Sequence, residues 1–227
     1  MQPQQQPRGI FISFEGSEGC GKTTQIRHLT ARFEKLALPL IVTREPGGTA
    51  IGEEIRHLLQ FSKASRAMVS ETELLLFVAS RAQLVREIIE PALNSGATVI
   101  ADRFLDSTTV YQGAARRLDA NAVRFVNDFA VGACRPDITF VLDLDPAEGR
   151  RRILRRPRPL GAENFSDRME EQPPEFYEAV REGYLQLAAR EPQRVCLIDA
   201  AQSVSEIEAL ICKKLREKFE NLSLLLD

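Results

Sequence analysis

Gly16-Ser17-Glu18-Gly19-Cys20-Gly21-Lys22-Thr23 is the stretch on which the reading of this chain turns, with Thr24 directly behind it. It meets the phosphate-loop pattern G-x-x-x-x-G-K-[ST] at every fixed position. The apolar run before it, residues 10 to 14, reads as a buried strand. Residues 25 to 33 after it carry helical spacing. Three glycines let the backbone wrap a polyphosphate with its N–H groups turned inward, at the positive end of a helix dipole. Lys22 can reach the outer phosphates, and the Thr23 hydroxyl can take one position on Mg²⁺. The alternative, a glycine-rich turn that happens to hold a lysine, does not explain strand before and helix after. The expected ligand is a nucleoside triphosphate.

Outward from the loop, short apolar runs alternate with longer helical patterns. Strands are expected at residues 10 to 15, 39 to 43, 97 to 101, 137 to 143 and 194 to 198. Helices are expected at about 22 to 36, 49 to 60, 71 to 94, 107 to 117, 120 to 132, 146 to 156, 174 to 190 and 203 to 219. Such alternation implies crossover units and an α/β fold: a five-stranded parallel sheet with helices on both faces, the three-layer sandwich of phosphate-loop NTPases. Ligands in these sheets gather at the carboxyl ends of the strands. Four expected strands end in polar residues there: Glu15, Arg44-Glu45, Asp102-Arg103 and Asp143. One domain is expected over residues 9 to 219, between a loose Gln/Pro-rich arm at 1 to 8 and an apolar tail at 220 to 227. Residues 62 to 70 and 157 to 166 carry the composition of mobile loops.

The chain has 227 residues, 44% of them apolar, and a formal net charge of −2. That balance argues against a general nucleic-acid binder. No apolar run approaches the roughly 20 residues needed to cross a membrane, and the N-terminus lacks a signal peptide's apolar stretch. The cysteines at 20, 134, 196 and 212 show no metal-ligand spacing. Buried thiols in a reducing cytoplasm are expected for the last three, whereas Cys20 sits in the phosphate loop itself.

Several constellations surround the loop. Arg44-Glu45-Pro46-Gly47-Gly48-Thr49 follows the second strand, where Arg44 either forks onto a phosphate or is a solvated residue beside a plain turn. Asp102 ends the third strand, where nucleotide-binding sheets place an acidic group near Mg²⁺, and Arg103 could hold a second phosphate. Ser107 and Tyr111 share a helix face, as do Thr108 and Gln112, so one polar face can look into a pocket. Phe77 lies among leucines, which favours a core position, but Arg81 one turn on also suits a base that stacks and presents a carbonyl. Arg150, Arg151, Arg152, Arg155, Arg156 and Arg158 crowd nine residues before a Pro-rich loop. A solvated face or a nucleic-acid patch is the usual reading of such a run; beside a loop, a lid that closes over phosphates is favoured.

With these pieces in order, the sequence resembles the bacterial thymidylate kinases, from Gly9 to about Phe219. The marks are Phe14-Glu15-Gly16 entering the loop, the Arg44 to Thr49 segment, Asp102-Arg103-Phe104 leading to Tyr111-Gln112-Gly113, Leu142-Asp143 with Pro146, and Asp167-Arg168 with Glu170. The resemblance implies transfer of the ATP γ-phosphoryl group to dTMP. It implies that Gly16 to Thr24 hold ATP and Mg²⁺ with Asp102 assisting, and that Ala200 and Gln202 belong to a loop bracketing adenine. Arg44 and Arg103 would bind the acceptor phosphate, Phe77 would stack on thymine, and Arg81 would bond its O4. Thr108 and Gln112 would lie along its polar edge, with Ser107 nearby. Glu18 would approach the deoxyribose 3′-hydroxyl and Tyr111 would crowd C2′. No arginine occupies the loop's variable positions, so the lid must supply the catalytic cation: Arg156 first, then Arg152 and Arg155. A homodimer is implied as well.

The nearest rival is another small-molecule kinase with a different nucleoside or nucleoside monophosphate acceptor. A switch GTPase would carry an Asn-Lys-x-Asp segment, which this sequence lacks. A nucleic-acid motor would be expected to carry a strand ending in Asp-Glu and a more basic chain.

Overall fold

The computed structural model describes residues 8–155, 172–220 and 222. Its centre is β1 (Phe11–Glu15), flanked on one side by β3 (Thr98–Asp102) and β2 (Leu40–Arg44), on the other by β4 (Ile138–Asp143) and β5 (Val195–Asp199). The order is β2-β3-β1-β4-β5 and every pairing is parallel. Each strand lies within one residue of its expected bounds. All five residues of β1 are buried, and their alternation divides the core. Ile12 and Phe14 join α1 (Lys22–Lys35) and α9 (Val204–Lys218) through Ile26, Leu29, Phe33, Ile207 and Leu215. Phe11 points to the opposite layer, against Leu84, Val85, Ile89 and Phe104. Each such side chain contributes roughly 1.5–3 kcal/mol by leaving water.

The remaining helices follow in chain order: α2 (Ala50–Gln60), α3 (Ser70–Leu84), α4 (Glu90–Asn94), α5 (Leu105–Thr108), α6 (Ala120–Val131), α7 (Pro146–Leu154) and α8 (Pro174–Arg190). The helix expected at 71 to 94 is continuous but changes pitch, with a π-helical turn at Val85–Ile89. Pro91 has no N–H to donate to the preceding turn, and the backbone widens so that the Glu90 N–H reaches the Val85 carbonyl. The segment expected at 107 to 117 starts two residues earlier as α5, then continues as a π-helix at Thr109–Ala115. Residues 62 to 70, expected to be a mobile loop, contain a 3₁₀ turn at Lys63–Ala67 that is capped by Ser62 and anchored by buried Ser65.

Local chemistry sets several helix starts. Thr49 accepts the Gly52 N–H at 3.0 Å, Asp119 the Ala122 N–H at 2.8 Å, and Ser203 forms a capping box with Glu206. In contrast, α1 begins after Gly21 at φ 100° with no side chain capping its first N–H groups, and only from Thr24 on do they donate back, to the Gly21 carbonyl. Cys134 and Cys212 are buried as expected, but Cys196 is only half-buried, because β5 is an edge strand. Leu222, in the tail, is buried in the cluster that holds α9. The expected loop at 157 to 166, Arg156, Asp167-Arg168 and Glu170 lie outside the described residues.

Candidate active site

The carboxyl ends of all five strands carry the polar groups: Glu15, Arg44, Asp102, Asp143 and Asp199. Between β1 and α1 the chain needs glycine for close approach. A Cβ on Gly19, at φ 77°, would sit 2.3 Å from the Gly149 carbonyl, and one on Gly16, at φ 130°, 2.5 Å from that of Leu142. Both turns let the loop ride on β4 and α7. Lys22 curls back so that Nζ donates to the Gly16 and Ser17 carbonyls, each at 3.0 Å. Thr23 Oγ1 donates to Asp102 Oδ2 at 3.3 Å, which brings together the two groups expected at Mg²⁺. Among the described residues no cluster of three or more His, Cys, Asp or Glu could hold a metal by protein ligands alone. One hydroxyl and one carboxylate beside a phosphate site suit Mg²⁺, which keeps most of its waters and borrows phosphate oxygens.

Beside Lys22 opens a cavity of about 230 Å³. Its walls hold Glu18, Arg44, Phe77, Asp102, Arg103, Ser107, Thr108, Tyr111 and Gln112, all expected from the sequence, and also Glu45, Pro46, Arg56 and Gln60. Arg56 and Gln60 share a face of α2 at i and i+4, directly after the Pro-Gly-Gly turn, and that spacing was the available signal. Arg56 donates to the Pro46 carbonyl at 2.9 Å. Arg44 is forked onto Glu53 at 3.0 and 3.1 Å; the Gly48 N–H and Arg44 hold that carboxyl below its usual range.

Arg103 is held in this cavity through both its backbone and its side chain. Its backbone is left-handed at φ 70°, its N–H donates to the Phe14 carbonyl, and its guanidinium donates to Glu18 at 2.8 Å and Ser107 at 3.2 Å. It lies 5.1 Å from the centre of the Tyr111 ring, whose hydroxyl donates to Glu18 at 3.1 Å. Burial and the neighbouring Glu18 raise the Tyr111 phenol well above its ordinary range, against the pull of Arg103, so it stays a hydrogen-bond donor.

Phe77 and Arg81 part company. Phe77 is half-buried on the cavity wall. Arg81 lies behind that wall, 1% exposed. Its Nε donates to Glu45 at 2.9 and 3.0 Å, Nη1 to Asn127 at 2.6 Å, and Nη2 to Glu45, to Thr108 at 3.0 Å and to the Phe104 carbonyl at 3.2 Å. Burial pushes the Glu45 carboxyl up to about 7, outweighing the pull of Arg81, and the nearby Glu15 adds to the rise. Gln112 donates to fully buried Glu73 at 2.8 Å.

The expected lid and adenine residues lie elsewhere on the same sheet edge. Ala200 is buried, its N–H bonded to the Asp143 carbonyl, and its own carbonyl accepts from Arg152 Nη1 at 3.1 Å. Arg152 also donates to Glu148, and Gln202 is half-buried in the same turn. Arg155, at the end of α7, is exposed. A second cavity of about 620 Å³ runs from Ser17 and Glu18 along α7 and α8, past Arg150 and Arg181. Glu18 therefore borders both spaces.

The thymidylate kinase family model matches residues 14–211, from the residue before Glu15 into α9. The chain belongs to the thymidylate kinase family. It is 47% identical to the thymidylate kinase of Chlorobium luteolum over 94% of this chain and 100% of that one. The thymidylate kinase of Desulfosudis oleivorans is 48% identical over 87% of this chain and 92% of its own. The crystal structure of thymidylate kinase from Ehrlichia chaffeensis superposes with a TM-score of 0.71 at 33% identity, covering 92% of this chain and 99% of that one. The stretch matched by the family model takes in both cavities and every expected site residue. No described helix is long and apolar enough to cross a membrane.

Proposed function

We propose that this chain transfers the γ-phosphoryl group of ATP to a phosphate oxygen of dTMP, giving dTDP and ADP. The observation that carries this reading is one cavity in which Lys22 of the phosphate loop faces Arg103, Phe77 and Tyr111. Membership of the thymidylate kinase family names the acceptor. Lys22 and the loop N–H groups bind the donor phosphates, while Arg103 and Arg44 bind the acceptor phosphate. When bound by Thr23 and Asp102, Mg²⁺ supplies further charge neutralisation of the donor oxygens. A phosphate monoester has its second pKa near about 6, so its oxygens are already nucleophilic and no strong base is needed. Two unit charges about 4 Å apart repel by roughly 4 kcal/mol at an effective dielectric near 20, which is why cations line both ends.

Phe77 stacks on thymine, with Thr108 and Gln112 along the polar edge of the base. Arg81 reaches O4 by exchanging a present partner, its bond to Thr108 being the one at the wall. Tyr111 crowds C2′ and Glu18 meets the 3′-hydroxyl. The catalytic cation comes from Arg156, Arg152 or Arg155, because Ser17, Glu18, Gly19 and Cys20 offer none. Ala200 and Gln202 bracket adenine. The protein works as a cytoplasmic homodimer without nucleic acid. Packed helices α3 and α6 leave Leu75, Phe125 and Phe129 outside their shared cluster, the last two 72% and 79% exposed. A second copy of this chain is the proposed cover. Phe129→Asp should convert a sedimenting dimer to monomer; an unchanged sedimentation coefficient rejects that face.

A coupled assay with ATP and a panel of dTMP, dUMP, dCMP, dGMP, AMP and thymidine tests the activity. Turnover should be greatest with dTMP, and preference for another acceptor would overturn the assignment.

A further inference from the structure

We propose that Glu15 is the positioning residue for Arg103, acting on its backbone through the Phe104 N–H and on its guanidinium through the Ser107 hydroxyl. The inference rests on Arg103 as the acceptor-phosphate cation. Glu15 ends β1 and is fully buried, directly before Gly16 of the phosphate loop. An apolar residue would end a central strand at less cost than a carboxylate taken out of water. The carboxylate is kept by its donors: the Phe104 N–H at 2.7 Å, the Ser107 hydroxyl at 2.6 Å, the Tyr184 hydroxyl at 2.8 Å and the Ser13 hydroxyl at 3.4 Å.

Two of these donors follow Arg103 closely: Phe104 directly after it and Ser107 in α5. Arg103 holds a left-handed backbone at φ 70°, unfavourable for a side chain of its size and sustained only by its surroundings. In that conformation the Arg103 N–H donates to Phe14 and the next N–H, that of Phe104, turns onto Glu15. Ser107, having given its proton to Glu15, presents a lone pair that accepts from Arg103 Nη1 at 3.2 Å. The backbone is thus set through Phe104 and the guanidinium through Ser107. Because Gly16 follows Glu15, one residue ties the cation of the acceptor end to the start of the donor loop, and so sets their separation.

Titration calorimetry with dTMP on Glu15→Ala, Glu15→Gln, Arg103→Ala and the double variant Glu15→Ala/Arg103→Ala tests this, with ATP titrations alongside. Glu15→Ala should weaken dTMP binding by about tenfold, the scale of a lost hydrogen-bond network around a charge, and leave ATP binding within about twofold. In the Arg103→Ala background the same change should have almost no further effect on dTMP. Glu15→Gln should recover most of the affinity, since its amide oxygen can take the Phe104 N–H while its NH₂ faces the two hydroxyls. Equal weakening with and without Arg103, equal losses for dTMP and ATP, or a Gln variant no better than Ala overturns the proposal. Parent-like dTMP affinity in Arg103→Ala instead overturns the reading of Arg103 beneath it. Should Glu15→Ala not fold, Ser107→Ala replaces it in the same cycle, with a smaller loss expected and an unchanged affinity counting against the link.

Discussion

The two ends of the site are built differently. The proposed donor-phosphate end comes from one uninterrupted stretch, residues 16 to 24, whose backbone N–H groups and lysine lie a few positions apart. The acceptor end is assembled from β2, the turn after β3 that carries Arg103, α2, α3, α5 and the π-helical segment after it, so its side chains come from positions far apart in the chain. Lys22 reaches carbonyls five and six residues away, whereas Arg81 bonds Glu45 and Asn127 across 36 and 46 residues. Damage should therefore be all-or-none at the donor end and graded at the acceptor end.

That contrast can be broken by experiment. The largest effect is expected for Lys22→Ala, which should lower kcat by about 10³-fold or more with an unchanged unfolding transition, as for other preorganised charges at a reacting group. Retained turnover would remove the donor end's privilege. Arg103→Ala should come next, with a kcat loss of about 10²–10³-fold and a raised KM for dTMP. A folded Arg103→Ala enzyme with normal turnover would make the acceptor end more redundant than its geometry implies.

Phe77→Ala should act more mildly, raising the KM for dTMP by about tenfold, because one stacked base is worth roughly 1–3 kcal/mol. The KM for ATP should hardly move; parallel rises in both would count against stacking. The last effect, at Glu45, is read in stability and not in turnover. Its carboxyl titrates near 7 in the folded chain against an ordinary value of 4.5, so the folded state binds more protons between those values. Its contribution is complete below pH 4.5 and is lost as pH rises toward 7. Glu45→Gln should flatten that part of the stability–pH profile in urea unfolding at pH 5 and pH 7.5, and an unaltered slope would place the titration elsewhere.

Much of the site is legible in the sequence because its signals are local. The phosphate loop is spelled by spacing, Thr49 and Ser203 announce helix starts, and β1 is apolar at alternate and adjacent positions because both of its faces are covered. The widened turn before Pro91 was readable from proline's missing donor, although helical periodicity alone concealed it. Arg56 and Gln60 were missed because an amphipathic helix beside a turn looks the same whether its polar face meets solvent or a cavity.

By itself the sequence determined the parallel α/β architecture, the donor loop and its lysine, since each depends on residues adjacent or a few positions apart. Only the tertiary structure decided that Phe77 lines the cavity while Arg81 stands behind its wall. It alone turned Glu15 from a strand-ending carboxylate into the hub between Phe104, Ser107 and Tyr184. The reason is physical: whether a polar side chain is spent inward or offered to a ligand depends on partners brought close by folding, and a one-dimensional pattern does not hold those distances.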